Sequence, residues 1–130
     1  MTYTRTGKHW LDEPGALLAV LNLGLGLALL LGDPLRTSSP SFATAKTIMT
    51  IDQWGLLFLL GALVCAVAYR CGRWGAVLVG VGGGIHAFWA MGLLQSARWD
   101  NRAAIMGIVV YGWIALLHLL TGARLARRVG

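Results

Sequence analysis

Two histidines and one asparagine are the residues best suited to chemistry in this sequence, because each interrupts a long apolar run. His86 lies in GAVLVGVGGGIHAFWAMGLLQ, His118 in AAIMGIVVYGWIALLHLLTG and Asn22 in GALLAVLNLGLGLALLLG. Imidazoles in such surroundings can ligate a metal, relay a proton or bridge helices by hydrogen bonds. As axial ligands to a haem they would have to stand level. At 1.5 Å per residue, His86 falls about 16 Å from the start of its run and His118 about 6 Å from the end of its own. That difference argues against a shared iron, and a hydrogen bond from His86 to Asn22 or to a backbone carbonyl is the simpler expectation. Asn22, costly if left unpaired in hydrocarbon, should face other helices, and Tyr111 should do likewise.

The remaining candidates point to packing. Cys65 and Cys71 are six positions apart, face differently on a continuing helix, and have no acid or histidine near them in sequence. They read as small packing residues, with neither a disulfide nor a zinc site expected. The run Gly80-Val81-Gly82-Gly83-Gly84 follows no strand, so it is no phosphate-binding loop. Ala76, Gly80 and Gly84 recur every four residues, with Gly83 and Ala87 on the adjacent stripe. Small residues at that spacing let helix backbones approach closely in lipid, within one chain or between copies. The triple glycine could also kink its helix. No paired carboxylates, nucleophile triad or metal cluster is present, so no catalytic, metal or cofactor residue is assigned and an enzyme is not expected.

These residues must be positioned by membrane helices. Hydrophobic residues make up 57% of the 130 positions and charged residues 12%, about half of what a soluble domain carries. The mean hydropathy is +0.68. Four apolar stretches of spanning length, residues 15–32, 53–69, 75–95 and 103–122, contain no Asp, Glu, Lys or Arg. The expected fold is an all-α membrane protein, one transmembrane domain over residues 1–130 built as a four-helix bundle. The first apolar run follows Arg5 and Lys8 as a signal peptide would, but Ala43-Thr44-Ala45 lies too far beyond it, which predicts an uncleaved helix.

The ends of the runs carry their own signals. Asp12, Glu13 and Pro14 suit a helix start, Asp33-Pro34 an end, and Asp52 an N-cap. Trp10, Trp54, Trp74 and Trp99 fall at predicted boundaries as an aromatic belt, while Trp89 and Trp113 lie deeper. In the outer loop, residues 33–52, Phe42, Ala45 and Met49 are spaced for one face of a short helix within 41–50. That helix either lies on the membrane surface or packs over the bundle mouth. Arg98, Asp100 and Arg102 form a charged loop cluster.

The formal charge of +6 gathers at the ends of the apolar runs, which reads as topology and not as nucleic-acid binding. Arg5, Lys8, Arg70, Arg73, Arg124, Arg127 and Arg128 fall on one side, and Arg36, Lys46, Arg98 and Arg102 on the other. The bias predicts both termini in the cytoplasm and a multi-pass protein of the inner, cytoplasmic membrane.

Three roles fit this layout. A permeabilising protein needs self-associating faces and little soluble domain. A non-catalytic structural or regulatory subunit would dock the same faces on a larger membrane complex or a host membrane protein. A narrow transporter would need a polar stripe, and Asn22, His86, Gln95 and His118 do not share one helix. No carboxylate in a span offers a proton carrier.

The short basic N-terminus, four bare spans, tight Cys71-Gly72-Arg73-Trp74-Gly75 turn and basic Arg124-Leu125-Ala126-Arg127-Arg128 tail resemble the small four-span membrane proteins of actinobacterial phages, including holin-like ones. The arginine-rich, Ala/Gly/Leu-rich composition suits a GC-rich genome of that kind. The resemblance implies accumulation as a homo-oligomer in the inner membrane and timed hole formation that releases an endolysin. It carries no functional residue across. The long first loop departs from that layout.

Overall fold

The computed structural model describes residues 14–32, 42–96 and 102–129. Trp10, Asp12, Glu13, Asp33-Pro34, Trp99 and the Arg98–Asp100 part of the charged cluster lie outside the described residues. Five helices account for the described chain: α1 (Pro14–Leu31), α2 (Ala43–Ile48), α3 (Ile51–Val67), α4 (Gly72–Ser96) and α5 (Arg102–Val129). No strand occurs among the described residues. Three of the helices, α1, α4 and α5, are long and apolar enough to cross a membrane, whereas α3 is apolar but only 17 residues long. Helices α4 and α5 run beyond the apolar stretches 75–95 and 103–122 that they contain. The helix holding His118 continues through the basic tail to Val129 instead of ending near Gly122.

Local signals explain the boundaries. Pro14 opens α1, where its missing N–H costs nothing. Thr50, not Asp52, caps α3. Its hydroxyl accepts from the Gln53 N–H, and the Gln53 side chain accepts in return from the Thr50 N–H at 2.9 Å. This reciprocal pair satisfies two donors that a lone carboxylate would not, which leaves Asp52 in the first turn. A short 3₁₀ turn, Ala68–Arg70, ends α3, and Gly72 takes a left-handed φ of 55° to start α4 at once. α4 runs unbroken through the triple glycine.

The bundle is two close antiparallel pairs, α1 with α3 and α4 with α5, whose backbones approach far more closely within a pair than between pairs. In the first pair Gly26 and Gly55 lie face to face, so that a Cβ on Gly26 would stand 2.9 Å from the Gly55 carbonyl oxygen. In the second, a Cβ on Gly83 would stand 3.1 Å from the Ala115 carbonyl oxygen, and one on Gly122 3.0 Å from that of Ala76. The expected small-residue stripe therefore divides. Ala76 and Gly83 are buried against α5, while Gly84 and Ala87 face outward and the Cβ directions of Gly80 and Gly84 are open. Close packing within the first pair rests on other glycines, Gly15, Gly26 and Gly55.

Bulky side chains fill the wider seam between the pairs. Trp54, Phe58 and Trp89 meet edge to face, with ring centroids of 4.7 Å for Trp54–Trp89 and 5.5 Å for Phe58–Trp89. Trp54 is thus buried and not part of an outward belt, because its indole N–H donates to the Ala45 carbonyl at 3.0 Å. That bond and the Phe42–Trp89 contact dock α2 on the bundle, with Ala45 buried and Met49 packed against the same core. The short helix therefore packs against α3 and α4. Trp74 and Trp113 are exposed.

Candidate functional site

Asn22, near the middle of α1, is 2% exposed and makes three hydrogen bonds. Its Nδ2 donates to the Leu18 carbonyl at 2.8 Å and to His118 Nε2 at 3.1 Å, and its Oδ1 accepts from His86 Nε2 at 3.1 Å. One amide therefore ties α1 to both α4 and α5.

The protons in this cluster are set by geometry. A carbonyl only accepts, so the Leu18 contact identifies which end of the Asn22 amide is nitrogen. His118 Nε2 must then carry a bare lone pair. The other side of the ring agrees, because Nδ1–H donates to the Ile114 carbonyl at 2.9 Å. His86 must carry its proton on Nε2, which leaves Nδ1 bare. Among the described residues, His86 Nδ1 and Trp89 Nε1 are the buried side-chain atoms without a hydrogen-bond partner.

The two imidazoles lie against each other with centroids 4.8 Å apart. The separation expected between them, about 10 Å by residue count, shrinks to 4.8 Å between ring centroids, because α4 and α5 pair so that Gly82 and Gly83 lie against His118. Phe58 stacks on His86 at 4.9 Å, and Tyr111 lies 5.9 Å from His86 and 5.8 Å from Trp89. Leu18, Cys65 and Val79 form the apolar cluster on the other side. Gln95 is exposed near the end of α4 and takes no part.

Three glycines and a cysteine complete the site. A Cβ on Gly61 would stand 3.0 Å from Asn22 Oδ1, and one on Gly82 2.9 Å from His118 Cδ2. Gly83 would press on His118 Cβ at 3.1 Å. Their missing side chains make the room that the amide and the ring occupy. Cys65 and Cys71 are free thiols, as their spacing requires. Cys65, however, has a histidine beside it, with Sγ 3.7 Å from His118 Nε2. Sequence distance conceals that neighbour. Gly61 and Gly82 carried no signal either, beyond belonging to glycine-rich spans.

A small crevice of about 160 Å³ reaches Cys65 and His118 from between α3 and α4, with Leu60, Leu78 and Val81 at its apolar walls. Among the described residues no group of three or more His, Cys, Asp or Glu side chains is placed to hold a metal ion. The arrangement supplies neutral hydrogen bonds between helices. Compared with known proteins, the chain matches no family model, no curated sequence and no solved structure.

Proposed function

We propose that this chain is a four-span bundle of the cytoplasmic membrane, with both termini inside, that permeabilises the membrane in a holin-like way by self-association. For the span count, α3 covers about 26 Å at 1.5 Å per residue and the 3₁₀ turn adds about 6 Å, together close to the roughly 30 Å of hydrocarbon to be crossed. Arg70 and Arg73 at the α3–α4 turn and Arg124 and Arg127 at the end of α5 then share the cytoplasmic side.

The observation that carries the functional reading is the seam. Each pair is closed internally by glycine contacts, while Asn22, His86 and His118 lie where the pairs meet. Outward faces of the spans are apolar, with Leu23, Val81, Met91, Trp113 and Leu120 among the exposed residues, so a hole lined by those faces would not hold water. Parting of the pairs turns the seam's polar groups toward a lumen. Copies meet through the outward Gly84 and Ala87 and the apolar groove of about 320 Å³ beside them, formed by Ala87, Met91, Gly112 and Leu116 among others.

A second reading, a non-catalytic subunit docked on a larger membrane complex, is favoured by the amount of apolar surface left uncovered. Only 22% of the α1 span, 33% of α4 and 28% of α5 is buried within the chain. The test is induced expression in a bacterium while membrane potential and entry of an impermeant dye are followed. Abrupt collapse after a delay, lost in Gly84→Leu, is the expected outcome. Accumulation at a matched level with potential intact overturns it and leaves the docking subunit, whose partner Gly84→Leu should release.

A further inference from the structure

We infer that the Asn22–His118 contact is a proton-operated latch on the seam between the two helix pairs, holding while both imidazoles are neutral and releasing when His118 gains a second ring proton. The inference rests on the reading that the seam is the part that opens.

The argument is one of saturation. Both amide protons of Asn22 are spent, one on Leu18 and one on His118, and its oxygen is spent on His86. Both His118 nitrogens are engaged, Nε2 as acceptor and Nδ1 as donor to Ile114. A proton added at His118 Nε2 sets N–H against N–H across 3.1 Å. Turning the Asn22 amide over would offer Oδ1 to the new imidazolium, but it forfeits the Leu18 bond. It also points Nδ2 at His86 Nε2, forcing the His86 proton to Nδ1, where no acceptor stands. The turned-over network thus loses the Leu18 bond and gains an unpaired N–H at His86, whereas the present one leaves the His86 Nδ1 lone pair as its open position.

The surrounding groups do not absorb the charge. Facing the two rings are Asn22 from α1, Phe58 and Cys65 from α3, Gly82 and Gly83 from α4, and Tyr111 and Ile114 from α5. Of these only Cys65 and Tyr111 titrate, and both are neutral in the acid range where an imidazole charges. An unpaired buried cation is strongly unfavourable, and water is the remaining source of relief. The seam is where water can enter, because a crevice of about 160 Å³ between α3 and α4 reaches Cys65 and His118 there. The sign follows: the latch holds at high pH and releases as pH falls. For a one-proton opening the open population rises by up to about tenfold per pH unit below the ordinary imidazole value of about 6.5.

Cys65 is the built-in reporter, since it lies in the seam at 3% exposure beside His118, while Cys71 is exposed. The test uses the full chain with Cys71→Ser in phosphatidylglycerol/phosphatidylcholine vesicles, treated with a membrane-permeant dipyridyl disulfide that reacts in acid as well as at neutrality. A Cys65→Ser chain, reporting on Cys71, supplies the intrinsic rate at each pH. The ratio of Cys65 to Cys71 reactivity should climb by up to about tenfold per unit from about pH 6.5 downward. In His118→Gln the rise should be clearly reduced, because the glutamine carbonyl accepts from Asn22 and does not titrate, which leaves His86 as the one ring in the seam that can still charge. A flat ratio in the histidine-containing chain overturns the latch, as does an undiminished rise in His118→Gln. Should that variant fail to insert, nitrogen-15 NMR of the His118 ring must give the same midpoint as Cys65 exposure, and different midpoints also overturn it. Neither readout measures permeabilisation, so failure of the latch and failure of the hole-forming reading are separate results.

Discussion

Asn22 and His118 lie 96 positions apart in the chain, yet the amide nitrogen of one sits 3.1 Å from the bare Nε2 of the other. That bond, with its counterpart to His86, is where the first helix pair is joined to the second through polar groups. Hydrogen bonds between membrane helices average about 0.6 kcal/mol, and what makes them consequential is the penalty for stranding a partner.

Asn22→Leu removes the amide, strands His86 Nε2–H and leaves His118 Nε2 with the weak Cys65 thiol contact at 3.7 Å. The branched side chain also presses on the space that Gly61 leaves for Asn22. The expected loss is about 1–3 kcal/mol of bundle stability. Denaturant titration of helix content in mixed micelles checks it, and an unchanged midpoint would show that the network contributes nothing net.

Neighbouring glycines in α4 should respond oppositely. Gly83→Leu drives its Cβ into the Ala115 carbonyl and His118, so it should lower stability by roughly 1–3 kcal/mol or more through overpacking. Gly84→Leu meets open space and should leave the folded monomer intact while removing any association through that face. Thermal melts in detergent paired with cross-linking in membranes separate the two effects. Equal destabilisation by both variants would contradict the placement of α4.

Trp54→Phe keeps the ring but loses the indole N–H donated to Ala45. The expected cost is about 0.5–1.5 kcal/mol, felt locally at α2. Amide hydrogen exchange over residues 43–49 should quicken while α4 is unaffected. No change in exchange would mean that Phe42 and Met49 hold α2 unaided.

Cys71 is exposed at the α3–α4 turn and Cys65 is not. With both termini inside, an impermeant maleimide should label Cys71 in inverted vesicles and not in intact spheroplasts. Labelling from the outside would reverse the orientation inferred from the arginines and lysines.

Composition and spacing determined the coarse picture unaided. Long apolar runs without charge satisfy their backbones in lipid as helices, and Pro14 and Gly72 mark where two of those helices begin. Asn22 and His86 were legible as residues that must find partners, because an unpaired polar group in hydrocarbon is costly wherever the chain goes. Only the tertiary structure decided which partners they have. Helix pairing sets the level of one span against another, and that level placed His118 beside His86 although counting from the apolar boundary had put them about 10 Å apart. Pairing likewise turned Gly83 inward and Gly84 outward, two adjacent glycines that sequence cannot tell apart, and it brought Cys65 to a histidine 53 positions away. Periodicity names a face; what the face meets depends on how the other helices are stacked.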